Sequence, residues 1–235
     1  MLKLALLTAA VALVPSAAAA QLSFQAPALT GMAARQAAAG SCTIGSGSPL
    51  TAVLPQTGAG VTLAAPLELF VYIPRNNAQF AELQVFEAET AILTASLDLP
   101  PSFAPGDFQY GPALAQLTLT TPPITPDVTY RWQVTLVCDA GDRSQDVAVS
   151  GLLLVAGPDY LSRQSPPLAT SAETTAEQLA QYAAAGLWHE LLSQLIALSE
   201  QDPSYEAMLA QLLSEQGLGA IVDAPRTGIG FTPLR

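Results

Sequence analysis

The chain is predicted to be an α+β protein, an antiparallel β-sandwich followed by a small C-terminal helical unit. Three observations predict it. From Leu50 to about Val155, short runs of alternating hydrophobicity recur between Gly, Pro, Asn and Asp turns. Beyond Pro166-Pro167 the apolar residues fall instead at helical spacing. The longest alternating run, Thr129 to Asp139, carries one of only two cysteines, in a chain whose first residues read as an export signal.

Residues 1–20 have the signal-peptide layout. Lys3 is the positive charge, Leu4 to Val14 the apolar region, and Ala17 to Ala20 the small-residue run before a cleavage site. A bilayer-spanning helix needs about 20 apolar residues, so this run is too short to be an anchor. No Cys follows it directly, which disfavours a lipoprotein. Residues 21–49, rich in Ala, Gly, Ser and Gln, are expected to form a flexible tether.

Residues 50–157 are expected to form the sandwich. Leu50–Leu54, Val61–Leu63, Leu67–Ile73, Ala81–Glu87, Ala91–Leu97, Leu114–Thr120, Tyr130–Asp139 and Asp146–Val155 read as strands. Leu67, Leu69, Val71 and Ile73 alternate with Glu68, Phe70 and Tyr72. Tyr130, Trp132, Val134, Leu136 and Cys138 share one face. Trp132 beside a cysteine-bearing strand points to immunoglobulin-like packing, although the other cysteine precedes the sheet.

Residues 158–224 are expected to be a helical tail unit, with 225–235 a C-terminal tail. Ser171 or Thr174 caps the first helix, and Glu177 stands three residues after Thr174 as in a capping box. Gly186 turns the chain, Trp188 to Leu198 form a wide apolar arc, and Pro203 ends it. The seventeen-residue interval from Gly186 to Pro203 is similar to that of a tetratricopeptide repeat. A single repeat cannot bury its own faces, so the unit packs on the sandwich or docks on a partner. Gln181, Glu190, Gln194 and Glu200 are expected to leave one solvated face.

Charge excludes several ligand classes. Loss of the signal removes the only Lys and leaves seven Arg against nineteen Asp and Glu, 7 − 19 = −12. Such a domain repels phosphate backbones, so no nucleic-acid partner is expected. No stretch after the signal is long and apolar enough to cross a membrane. Two cysteines in an exported chain predict a Cys42–Cys138 disulfide, stabilising by about 4–5 kcal/mol in the chain-entropy model. The bland alternative is two unpaired thiols.

No catalytic constellation is legible. His189 is the only histidine, it is expected on a helix face, and there is no G-x-S-x-G elbow. Zinc lacks ligands, and phosphate-binding glycine loops lack their context, so no cofactor is expected. Asp139, Asp142 and Asp146 form a weak calcium candidate against a plain Asp/Gly turn with Arg143. Glu68, Glu82, Glu87 and Glu89 are the carboxylates available to a hydrolase, without a cleft to join them.

Taken together, Leu50-Thr51-Ala52-Val53-Leu54-Pro55, Phe70-Val71-Tyr72-Ile73-Pro74, the Tyr130 to Ser144 stretch and Ala184-Ala185-Gly186-Leu187-Trp188-His189-Glu190 resemble a family. It is a family of exported cyanobacterial proteins known only as a domain of unknown function. The likeness runs from about Ser41 to Ala224. It implies an exported β-rich domain with a helical tail, no assigned catalytic residues, and company with secretion or adhesin-type systems. The chain departs from it before Cys42, where Arg35 alone stands in place of a basic Gly/Arg-rich stretch. The expectation is therefore a non-catalytic, periplasmic or extracellular protein that binds a protein partner through Tyr182, Trp188 and His189. The rival is a carbohydrate-binding module or hydrolase using surface carboxylates.

Overall fold

A computed structural model describes residues 22–27, 29, 42, 47–63, 66–99, 110–120, 124–164, 168 and 175–234. The signal region lies outside the described residues, as does most of the predicted tether. The first strands are β1 (Thr51–Ala52), β2 (Ala59–Thr62), β3 (Leu67–Ile73), β4 (Phe80–Glu87) and β5 (Thr90–Leu97). β6 (Ala113–Leu119), β7 (Thr129–Val137) and β8 (Val147–Val155) complete the alternating region. Helices α1 (Pro158–Leu161), α2 (Thr175–Ala184), α3 (Trp188–Ser199) and α4 (Pro203–Glu215) follow. Two last strands, β9 (Arg226–Ile229) and β10 (Phe231–Pro233), close the chain.

The protein is a mixed α+β structure dominated by two open sheets. One has the order β1-β3-β6-β9, the other β10-β5-β4-β7-β8-β2. Most pairs are antiparallel, but β2 with β8 and β6 with β9 run parallel, which corrects the all-antiparallel expectation. Alternation in a sequence reports which side chains face inward and is silent on a neighbour's direction. Parallel neighbours need a long crossover, and between β6 and β9 the chain includes all four helices.

Register explains a second difference. Leu67, Leu69, Val71 and Ile73 of β3 oppose Leu119, Leu117, Ala115 and Ala113 of β6. Directly paired residues share a face, and this one joins the apolar cluster that both sheets share. On the other face Glu68, Phe70 and Tyr72 oppose Thr118, Gln116 and Leu114. That face is covered too, because α3 lies against β3 and β2. Phe70 is fully buried, with its ring 6.5 Å from that of His189 and nearly parallel to it. Burying one such aromatic stabilises by about 3 kcal/mol, so the helices are part of the core.

Local chemistry sets the helix ends. Gly186, at φ +68°, ends α2 with Leu187 N–H bonded to the Tyr182 carbonyl and Gly186 N–H to Ala183. This is a Schellman cap, and glycine takes the left-handed conformation without a Cβ penalty. Asp202 caps α4 by accepting from Ser204 N, with Pro203 at the first helical position.

The ends of the chain differ from expectation as well. The predicted C-terminal tail contains β9 on β6 and β10 on β5. Leu22 and Phe24, in the predicted tether, pack on the core, and Gln25 N–H bonds the Ala183 carbonyl at 3.0 Å. Cys42 and Cys138 form the expected disulfide, with their Cα atoms 5.3 Å apart. It closes a loop of 96 residues of separation onto the end of β7.

Candidate functional site

The first turn of α3 holds the most unusual polar groups of the described structure. Trp188 is fully buried; its Nε1–H donates to the Val53 carbonyl at 2.8 Å, and Phe24 meets its ring edge-on at 5.1 Å. That anchor pins α3 against the chain between β1 and β2. His189 follows and lies over β2, at a place only glycine permits. A Cβ on Gly60 would sit 2.4 Å from His189 Nε2.

His189 is 1% exposed, and neither ring nitrogen has a hydrogen-bond partner. Burial therefore pushes its pKa down to about 4, and the Glu68 main chain opposes the shift. At neutral pH the ring is uncharged, one nitrogen carrying N–H and the other a lone pair.

Glu190 comes next. Its Oε1 accepts from Thr62 Oγ1 at 2.7 Å and from Leu63 N–H at 2.6 Å, while Oε2 is buried with no donor. Desolvation raises its pKa to about 7; Thr62, Leu63 and its own main chain pull the other way, and the charge of Glu68 adds to the rise. A carboxyl poised at neutrality exchanges a proton over the physiological range.

These side chains line a cavity of about 310 Å³. Thr62 and Leu63 at the end of β2, with Pro66, form one wall. Glu68 of β3 forms a second, and Tyr182 of α2 with His189, Glu190 and residues of the next turn of α3 form the third. Glu68 is steadied by Gln116 Nε2 at 2.9 Å, and the Tyr182 hydroxyl accepts from Gln178 Nε2 at 2.9 Å. No Arg or Lys lines it among the described residues. The volume is at the lower end for small-molecule pockets.

A family model described as Domain of Unknown Function (DUF928) matches residues 30–226. The chain belongs to the DUF928 family. Comparison with curated proteins and with solved structures found no match. The DUF928 span encloses both cysteines and every residue lining the cavity, and it ends at Arg226, the first residue of β9.

Within the DUF928 domain the sequence-predicted residues scatter. Tyr182 and His189 reach the cavity. Trp188 does not, and its complete burial removes it from any docking surface. His189 is likewise no surface residue, and Glu190 turns inward instead of completing a solvated face. The physical reason is shared: α3 starts between β2, β3 and α2, so its first turn is largely covered apart from the cavity it lines.

The acidic turn forms no site with them. Asp139 Oδ1 accepts from Gly141 N–H, and Asp142 Oδ1 accepts from Ser144 N–H and Oγ–H. Asp146 takes the Cys138 N–H and pairs with Arg143, which also bonds Glu82 at 2.9 Å. Among the described residues no three His, Cys, Asp or Glu side chains converge to hold a metal. Of the carboxylates considered for hydrolysis, Glu68 alone lines the cavity.

Sequence reasoning missed Glu190, Thr62 and Gly60. The one signal was the unbroken run Leu187 to Leu192, in which a buried helix start leaves its two polar residues no outward face.

Proposed function

We propose that this DUF928 protein is an exported, non-catalytic binding protein whose ligand is a small polar molecule held in the cavity between α3, β2 and β3. One observation carries the reading. Glu190, on the cavity wall, has one oxygen fixed by two donors and the other buried without any. An unmet buried oxygen costs about 1–3 kcal/mol, a penalty that a ligand donor relieves. The unpaired imidazole of His189 beside it supports the same reading.

Export is supported by the signal pattern of residues 1–20 and by the disulfide, which persists in oxidising compartments. No helix among the described residues is long and apolar enough to cross a membrane. The protein-partner expectation loses its Trp188 anchor, which favours a small ligand over a docking helix.

Ligand-observed NMR against a panel of neutral, cationic and anionic fragments tests the proposal. Saturation transfer that disappears in Glu190→Gln while the fold persists is the expected result. A panel with no binder displaced by that substitution overturns it.

A hydrolase reading has one specific observation in its favour, since Glu68 and Glu190 share the cavity and Glu190 is held near neutrality. Turnover of nitrophenyl glycosides, lost in both Glu68→Gln and Glu190→Gln, supports that reading. Absence of turnover leaves binding as the function.

A further inference from the structure

We infer that the ligand group seated at Glu190 is a small organic cation, a primary ammonium or similar nitrogen donor, and that its binding releases a proton. The inference rests on the cavity being a ligand site and adds the chemical class and its pH dependence.

Four observations on geometry and charge lead there. Among the described residues the cavity carries two carboxylates, Glu68 and Glu190, and no Arg or Lys. Glu190 Oε2 and the imidazole of His189 both lack partners, and His189 is 1% exposed. A carboxylate oxygen and a neutral imidazole lone pair both accept hydrogen bonds, which an ammonium with three donors supplies. An anion is repelled by Glu68 and by any ionised Glu190, and a neutral polyol supplies no charge to offset Glu68 or to draw the proton from Glu190.

A metal ion is the competing cation, but no three ligating side chains converge among the described residues. Glu190 also spends one oxygen on Thr62 and Leu63, which leaves monodentate reach suited to an N–H donor. The chain's acidic excess, −11 overall, attracts cations toward the pocket mouth.

Proton release follows from linkage. The groups around Glu190 are Glu68 from β3, Tyr182 from α2 and His189 beside it, while β2 offers only Thr62 and Leu63. With no Arg or Lys among the described lining residues, the protonated acid is the form of Glu190 that adds no second negative charge beside Glu68. Burial raises Glu190 to about 7, and a bound cation lowers it again. His189 titrates near 4, below the window in question.

The test titrates the intact protein with ethanolamine, ethylene glycol and acetate between about pH 5 and pH 8, reading backbone amide shifts of α3. Ethanolamine is expected to bind, with affinity rising up to about tenfold per pH unit below 7 and levelling above it. Glu190→Gln is expected to abolish that rise, and Glu68→Gln to weaken binding several-fold. Should Glu190→Gln not fold, the native pH profile and Glu68→Gln decide. Binding of ethylene glycol or acetate alone, or a flat pH profile, overturns the cation while leaving the cavity a ligand site. No response to any of the three overturns both.

Discussion

Two acidic regions of the molecule use the same chemistry to opposite ends. At the β7–β8 connection, Asp142 is exposed and its pKa falls because the Ser144 side chain and N–H bond its carboxylate. At the start of α3, Glu190 accepts two hydrogen bonds of similar length, yet its pKa rises to about 7. The number of donors is therefore not what decides. In water two donors suffice to favour the anion; in the enclosed pocket desolvation and Glu68 outweigh them. A carboxylate turn on the surface is a local folding device, and a half-satisfied carboxyl in a cavity is a reactive or binding group.

The most severe way to break the contrast is to remove what encloses the pocket. Trp188→Ala deletes a fully buried indole and leaves the Val53 carbonyl without its donor. A loss of about 4 kcal/mol is expected in chemical denaturation, with Glu190 returning toward ordinary carboxylate behaviour as water enters.

Glu190→Gln sharpens the contrast through pH. The folded state holds the Glu190 proton more tightly than the unfolded chain, about 7 against 4.5. Ionisation of Glu190 therefore costs nothing below pH 4.5, and its penalty grows as pH rises to about 7, reaching about 3 kcal/mol. The variant should be more stable than the native protein above pH 7, with the gain vanishing toward pH 4.5. A gain independent of pH would argue against a buried titrating acid. His189 acts in the opposite sense: its folded pKa lies near 4 against 6.5, so stability falls as pH drops from 6.5 toward 4.

Gly60→Ala tests the approach of helix to strand. The new Cβ would fall 2.4 Å from His189 Nε2, so the first turn of α3 must shift, at a cost of about 2 kcal/mol. Far-UV circular dichroism during thermal melts measures it. Gly228→Ala, which meets nothing within 4 Å, should leave the melt unchanged. The smallest effect belongs to the surface region, where Asp142→Ala should shift the melting temperature little and leave any pH dependence above neutrality intact.

How far the sequence reveals this structure follows the same divide. Alternation located β3, β4, β5, β6, β7 and β8 to within a residue or two, because each has at least one buried face and turn-forming residues near its ends in the sequence. Gly186 marks a helix end by local chemistry and acts as such, while Pro203, read as a stop, is the first residue of α4, capped by Asp202. Contacts distant in sequence were not legible. Asp127 caps α1 by accepting from Gly157, Asp159 and Tyr160 N–H, about thirty residues away. Thr62 meets Glu190 across 128 residues. β9 and β10, short and rich in glycine and proline, become strands only because an edge is waiting for each. Glu190 looked solvated because helical spacing shows which face is apolar, not how many neighbours surround the first turn.

The most direct test of the buried, half-paired acid is a carbon-13 NMR titration of the glutamate carboxyls, with Glu190→Gln assigning the resonance. One glutamate titrating near 7, absent from the variant, is the predicted result. Every glutamate titrating near the ordinary value of about 4 would contradict it.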